Sequence, residues 1–75
     1  MKDFASTIRY GMTLHYASEF GEHQTWHVRA VVDRKEVIYR VWHGSNWKYY
    51  TESIQDMQKL HDSGMLTNGR KWQKK

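Results

Sequence analysis

The chain contains no cysteine. Without thiols there is no disulfide framework and no thiolate metal site, so the usual staples of small secreted folds are excluded and a reducing compartment is allowed. No run approaches the roughly 18 apolar residues of a membrane span, and residues 1–5 lack the apolar stretch of a signal peptide. The expectation is a cytoplasmic protein with no membrane partner. Also missing are a Gly-rich phosphate loop, an internal repeat, a low-complexity tract and a linker. Ser18, Ser45, Ser53 and Ser63 stand in no nucleophile-elbow context, and the carboxylates fall in turns or helix ends, where solvation and capping account for them. His15, His23, His27, His43 and His61 show no metal-ligand spacing. The sequence therefore gives no reason to propose an enzyme, a cofactor, a metal or a small-molecule substrate.

What the chain has is aromatic side chains. Four Trp, five Tyr and two Phe make 15% of its 75 residues, and each large ring buries about 150–250 Å². A domain this small buries only about 60% of its unfolded surface, so there is room for one core, and that core is expected to be aromatic-rich. The net charge of +4 is unevenly placed. Eight of the 12 Lys and Arg and all eight Asp and Glu fall in residues 1–69, which are neutral; the excess is Arg70, Lys71, Lys74 and Lys75. This reads as a compact domain over 1–69 with a basic, mobile tail over 70–75. Trp72, a ring among four cations, suits either a contact role for that tail or simple disorder.

The fold class predicted is α+β: an antiparallel meander of three to four strands followed by one C-terminal helix packed on the sheet. Met12, Leu14, Tyr16 and Phe20 alternate with polar residues and mark a strand over about 12–20. Two apolar-rich runs, 25–32 and 37–43, flank the polar turn Asp33 to Glu36 as a hairpin. Residues 43–46 have turn chemistry, and 47–50 have the composition of a short fourth strand. The period then changes: Ile54, Met57, Leu60 and His61 mark one face of a helix over about 52–63, with Thr51 as N-cap and Gly64 as C′ residue. The first ten residues fit either a turn of helix or a short edge strand. Whether the sheet stays open or curls into a small barrel is left undecided.

A hairpin closing around Asp33 to Glu36 pairs Val32 with Val37 and then keeps a constant register. Trp26, Val28, Ala30, Val32, Tyr39 and Val41 then form the core side. On the other side Arg29 meets Arg40 and His27 meets Trp42. Like charges directly opposite cost a few tenths to about 1 kcal/mol, so something must offset the two arginines. One answer is structural: if Phe20 lies by Trp26, Glu19 falls beside His27 and close to Arg29. The other is functional: a two-Arg fork flanked by Trp42 and His27 suits phosphate, a partner carboxylate or a base edge. The same face would also carry His15, Lys48 and Tyr50, while Trp47 and Tyr49 read as packing residues. The candidate binding residues are thus His27, Arg29, Arg40, Trp42 and Lys48, with Arg70, Lys71, Trp72, Lys74 and Lys75 from the tail.

The run from Trp26 and Val28 through Val37 to Trp42, and on to Thr51 to Ile54, resembles in spacing small SH3-like modules with a terminal helix. It is also similar to the three-stranded-sheet-plus-helix DNA-binding domains of the AP2 and integrase-arm type, a resemblance that implies nucleic-acid contact through the sheet face. By size, lack of cysteine and aromatic richness the chain also resembles small phage-encoded proteins that inhibit or redirect host machinery. The function expected is a non-catalytic binding module docking on nucleic acid or a nucleic-acid-handling protein. The alternative is a small inhibitor or adaptor that binds a protein through the sheet face or a sheet edge.

Overall fold

The computed structural model describes residues 4–68. Four strands, β1 (Thr13–Ala17), β2 (His23–Val32), β3 (Glu36–Trp42) and β4 (Trp47–Ser53), run as an antiparallel meander, followed by a helix, α1 (Ile54–Asp62), and a last strand, β5 (Leu66–Asn68). The sheet order is β4-β3-β2-β1-β5. β4 and β5 are its two edges, so the sheet is open and α1 crosses one face to join one edge to the other. Among the described residues there are five strands where the sequence pattern suggests three to four, and the helix is not the last element. β5 escapes a pattern search because three residues are too few to show alternation. It is held by pairing with β1, from Leu14↔Asn68 to Tyr16↔Leu66, and by Leu66, which is fully buried.

The boundary between β4 and α1 also differs from expectation. β4 continues to Ser53, which pairs with Glu36, so Thr51 and Glu52 lie in the sheet ladder rather than in the helix. Ser53 is the N-cap: its Oγ accepts the Asp56 N–H at 3.0 Å, which satisfies one of the orphan donors of the first turn. At the other end Gly64, at φ 88°, ends α1 as expected. Its N–H donates to the His61 carbonyl, and the Met65 N–H donates to that of Leu60. This pair of bonds is a Schellman motif, and its left-handed residue favours glycine.

The first hairpin does not keep the constant register. Asp33 and Arg34 have φ of 51° and 56°, and the Lys35 N–H donates to the Val32 carbonyl at 2.8 Å, the pattern of a type I′ turn. Val32 then pairs with Glu36, Val31 with Val37 and Ala30 with Ile38; a bulge at Arg29 shifts the ladder, so that Val28 pairs with Tyr39 and His27 with Arg40. The bulge swaps inner and outer faces along β2. Trp26, Val28, Tyr39 and Val41 are buried as expected, as is Val37, but Val32 is exposed, Ala30 lies on the outer face, and Val31 packs against the core instead.

The core lies between the sheet and α1, which contributes Met57, fully buried, with Ile54 and Leu60 beside it. Across the sheet the core side carries a stacked ladder of rings. Tyr16 and Trp26 stand 5.0 Å apart between centroids, Trp26 and Tyr39 4.1 Å, and Tyr39 and Tyr50 5.6 Å. Burial, with Glu52 alongside, pushes the Tyr39 hydroxyl well above the usual phenol range. The N-terminal segment forms a single 3-10 turn, Ala5–Thr7. It is tied to α1 by the Ala5 N–H donating to Gln58 Oε1 at 2.8 Å and by Phe4 stacked on His61 at 4.0 Å. Phe20 does not join the core. β1 ends at Ala17, Ser18 Oγ accepts the N–H groups of Phe20 and Glu22 to hold the turn, and Phe20 stands 87% exposed.

Candidate functional site: the outer sheet face

The face of the sheet away from α1 is set by strand register. β1 contributes Thr13, His15 and Ala17, and β2 contributes His23, Thr25 and His27, all opposite one another in the pairs Thr13↔His27, His15↔Thr25 and Ala17↔His23. β3 and β4 add Arg40↔Tyr49 and Trp42↔Trp47, with Ile38↔Thr51 beyond them. None of these strand positions is a carboxylate; Glu36, at the far end of β3, is the nearest acidic residue in that row. The outer strand positions thus carry one cation, Arg40, and one carboxylate, Glu36, four residues apart along β3, with no carboxylate in the positions next to Arg40.

Arg40 is its centre. The guanidinium carbon sits 3.9 Å from the centroid of the Trp47 ring, a close cation–π contact of about 0.5–2 kcal/mol. Nη1 donates to the Tyr49 hydroxyl at 3.3 Å. Trp47 in turn meets Trp42 edge-on at 5.1 Å and His27 edge-on at 5.3 Å. Trp42 is 50% exposed, Tyr49 57% and Trp47 36%. Arg40 makes no ion pair among the described residues, and its buried Nε lacks a hydrogen-bond partner there. A guanidinium held over a ring without a carboxylate partner has donors left for an anionic or polar group.

The His27 imidazole is held below its ordinary range, first by burial and then by the charges of Arg40 and Arg29. It stands neutral beside Arg40 near neutral pH. Farther along the same face His15 Nε2 and His23 Nδ1 are 3.0 Å apart. His15 is likewise lowered, by burial first and His23 second. Among the described residues no group of three or more His, Cys, Asp or Glu gathers as metal donors.

His27, Arg40 and Trp42 fall on one face, as expected, although the bulge sets His27 opposite Arg40 rather than opposite Trp42; two other residues do not join them. Arg29 does not face Arg40; the bulge removes it from the ladder and its guanidinium lies over the Tyr10 ring at 5.4 Å. The repulsion expected between the two arginines is relieved by that bulge, not by Glu19, since β1 pairs Leu14, not Phe20, with Trp26. Lys48 pairs with Val41 and projects from the helix side of the sheet, as does Tyr50 opposite Tyr39. In their place stand Trp47 and Tyr49. The signal for these was present: a four-residue turn over His43 to Asn46, closed by the His43 N–H donating to the Asn46 carbonyl, pairs Trp42 with Trp47 and so fixes Tyr49 beside Arg40. The His15–His23 pair escapes the sequence pattern because His23 falls between the strands expected over 12–20 and 25–32, whereas β2 begins at His23. Arg70, Lys71, Trp72, Lys74 and Lys75 lie outside the described residues.

No family model, curated protein or solved structure matches this chain. The site is therefore read from its own geometry. No helix among the described residues is long and apolar enough to cross a membrane.

Proposed function

We propose that this chain is a non-catalytic binding module whose outer sheet face stacks the unpaired bases of single-stranded nucleic acid. The observation that supports it is the Arg40 guanidinium laid on Trp47 and bonded to the Tyr49 hydroxyl, with Trp42 exposed beside Trp47 and no carboxylate among the neighbouring strand positions. Sheets that take single strands combine flat exposed rings, on which bases stack, with cations that meet the backbone. Duplex readers instead need side chains or elements that enter a groove and many phosphate contacts. Here one arginine among rings favours the unpaired strand. The basic residues Arg70, Lys71, Lys74 and Lys75 add sequence-independent attraction to phosphate.

Fluorescence titration with a short single-stranded oligonucleotide at about 50 mM salt tests the reading. Binding should quench tryptophan emission, exceed that of a duplex of equal length, weaken with salt, and weaken further on deleting residues 70–75. Absence of binding at that salt concentration overturns it. A second reading, docking on a protein, has one observation in its favour: Trp, Tyr and Arg are the residues that dominate protein interfaces, and Trp42, Trp47, Tyr49 and Arg40 form such a cluster. A tagged domain that retains a defined protein from nuclease-treated lysate, while failing to bind oligonucleotides, supports that reading instead.

A further inference from the structure

β4 is an edge strand along its whole length. Its seven residues pair with β3 from Trp42↔Trp47 to Glu36↔Ser53 without interruption, nothing pairs with its other edge among the described residues, and residues 47–51 are all exposed. Edges of this length are usually blunted by proline, by a bulge or by a covering element. β4 has no proline and no register shift against β3. Two charged residues, Lys48 and Glu52, are the devices of that kind it carries.

We propose that the free edge of β4 takes a second copy of this chain, pairing β4 antiparallel to β4 about a two-fold axis at Tyr50, so that the two five-stranded sheets join into one.

The strand is self-complementary about Tyr50. Antiparallel pairing centred there sets Trp47 against Ser53, Lys48 against Glu52, Tyr49 against Thr51 and Tyr50 against its own copy. Each Lys48 meets a Glu52, twice in the dimer. Both residues lie on the helix side, opposite Val41 and Val37 of β3, so the charges fall on one face, as facing residues must. The lysine that would deter an unrelated strand becomes a specific partner for this one. Sliding the register by two residues either way sets Lys48 or Glu52 against Tyr50, loses both ion pairs and shortens the ladder. A slide of one residue brings the outer face of one copy level with the helix side of the other. The chosen register alone satisfies charge, face and length together.

Packing points the same way. Tyr50 ends the stacked series Tyr16, Trp26, Tyr39, Tyr50 at the sheet edge and is 40% exposed. Its copy across the axis would continue the series into the second sheet. The interface is isologous and uses β4 of both copies, so it closes at two and does not propagate a filament.

Charge reversal tests this by sedimentation equilibrium on the full chain over a wide concentration range. Wild type should dimerise reversibly. Lys48→Glu and Glu52→Lys, each alone, set like charges together at both contacts and should raise the dimer Kd by about tenfold or more. The double variant with both reversals should recover the wild-type Kd. An equimolar mixture of the two single variants should form a mixed dimer, since one chain then offers two acids against two bases. As a second readout, the β4 amides should become slower to exchange with solvent as concentration rises. Wild type that stays monomeric to about millimolar concentration overturns the proposal, as does a dimer indifferent to the single reversals.

Discussion

At the scale of residues, the outer face depends on how Arg40 and Trp47 hold each other. Trp47→Ala removes both a stacking ring and the surface on which the guanidinium rests, so the affinity for single strands should fall by about 1–3 kcal/mol in a titration. Arg40→Lys keeps the charge but not the planar group that lies flat on an indole, and should recover less than half of the loss seen in Arg40→Ala. Recovery of full affinity by lysine would show that the charge alone matters. Acid gives an independent test of the packing. His27 and His15 are both held below the ordinary imidazole range in the fold, so the folded chain binds fewer protons than the unfolded chain. Stability is therefore complete at neutral pH and declines as the pH falls through the histidine range, from about pH 7 to pH 5. The thermal midpoint should drop over that interval, and His27→Gln should flatten part of the drop; a midpoint that is constant to pH 5 contradicts it. Of these residues, Arg40, Trp42 and His27 are placed on one face by strand alternation, but the pairs expected from a constant hairpin register, Arg29 with Arg40 and His27 with Trp42, are replaced by His27 with Arg40. Trp47 and Tyr49 were equally derivable from the second turn, but their bulk invites assignment to the core.

Elements carry the two departures from simple register, and each has a local cause. Asp33 and Arg34 both adopt positive φ; Asp tolerates this, whereas for arginine the left-handed region costs about 1–2 kcal/mol. Arg34→Gly should stabilise the fold by about 0.5–1 kcal/mol in denaturant unfolding, because Asp-Gly is the preferred pair for this turn and part of the gain is offset by glycine entropy. Destabilisation would mean that the Arg34 side chain contributes more than its backbone costs. The bulge at Arg29 left no mark in composition, since it depends on how β2 must bend to serve both β1 and β3. The end of α1 was legible, because glycine at a C′ position has a specific conformational reason. Its start was not: the sequence pattern places the cap at Thr51, but Thr51 lies in the β4 ladder opposite Ile38, and Ser53, the last residue of that ladder, caps the helix. Ser53→Ala should cost about 1 kcal/mol, read by the same unfolding experiment, while Thr51→Ala should leave the helix intact.

For the whole molecule, the class and meander order follow from alternation, turn chemistry and the change of period between the fourth strand and the helix, all of which are local. What closes the architecture is not local: β5 is defined by its pairing with β1 some 50 residues earlier in the chain. The result is a sheet with two different aromatic faces. On one, Tyr16, Trp26, Tyr39 and Tyr50 stack beneath and beside α1; on the other, the exposed rings of Trp42, Trp47 and Tyr49 gather beside a half-buried Arg40. A ligand that stacks on the exposed set must disturb that face and leave the helix side unchanged. The direct test is a heteronuclear NMR titration of the full chain, at about 50 mM salt, with a single-stranded oligonucleotide and then with a duplex. The account predicts single-strand shifts concentrated at His27, Arg40, Trp42, Trp47 and Tyr49, with Val28, Met57 and Leu60 unmoved and a weaker response to the duplex. A spectrum unchanged by the single strand, or shifts gathered around α1, would contradict it.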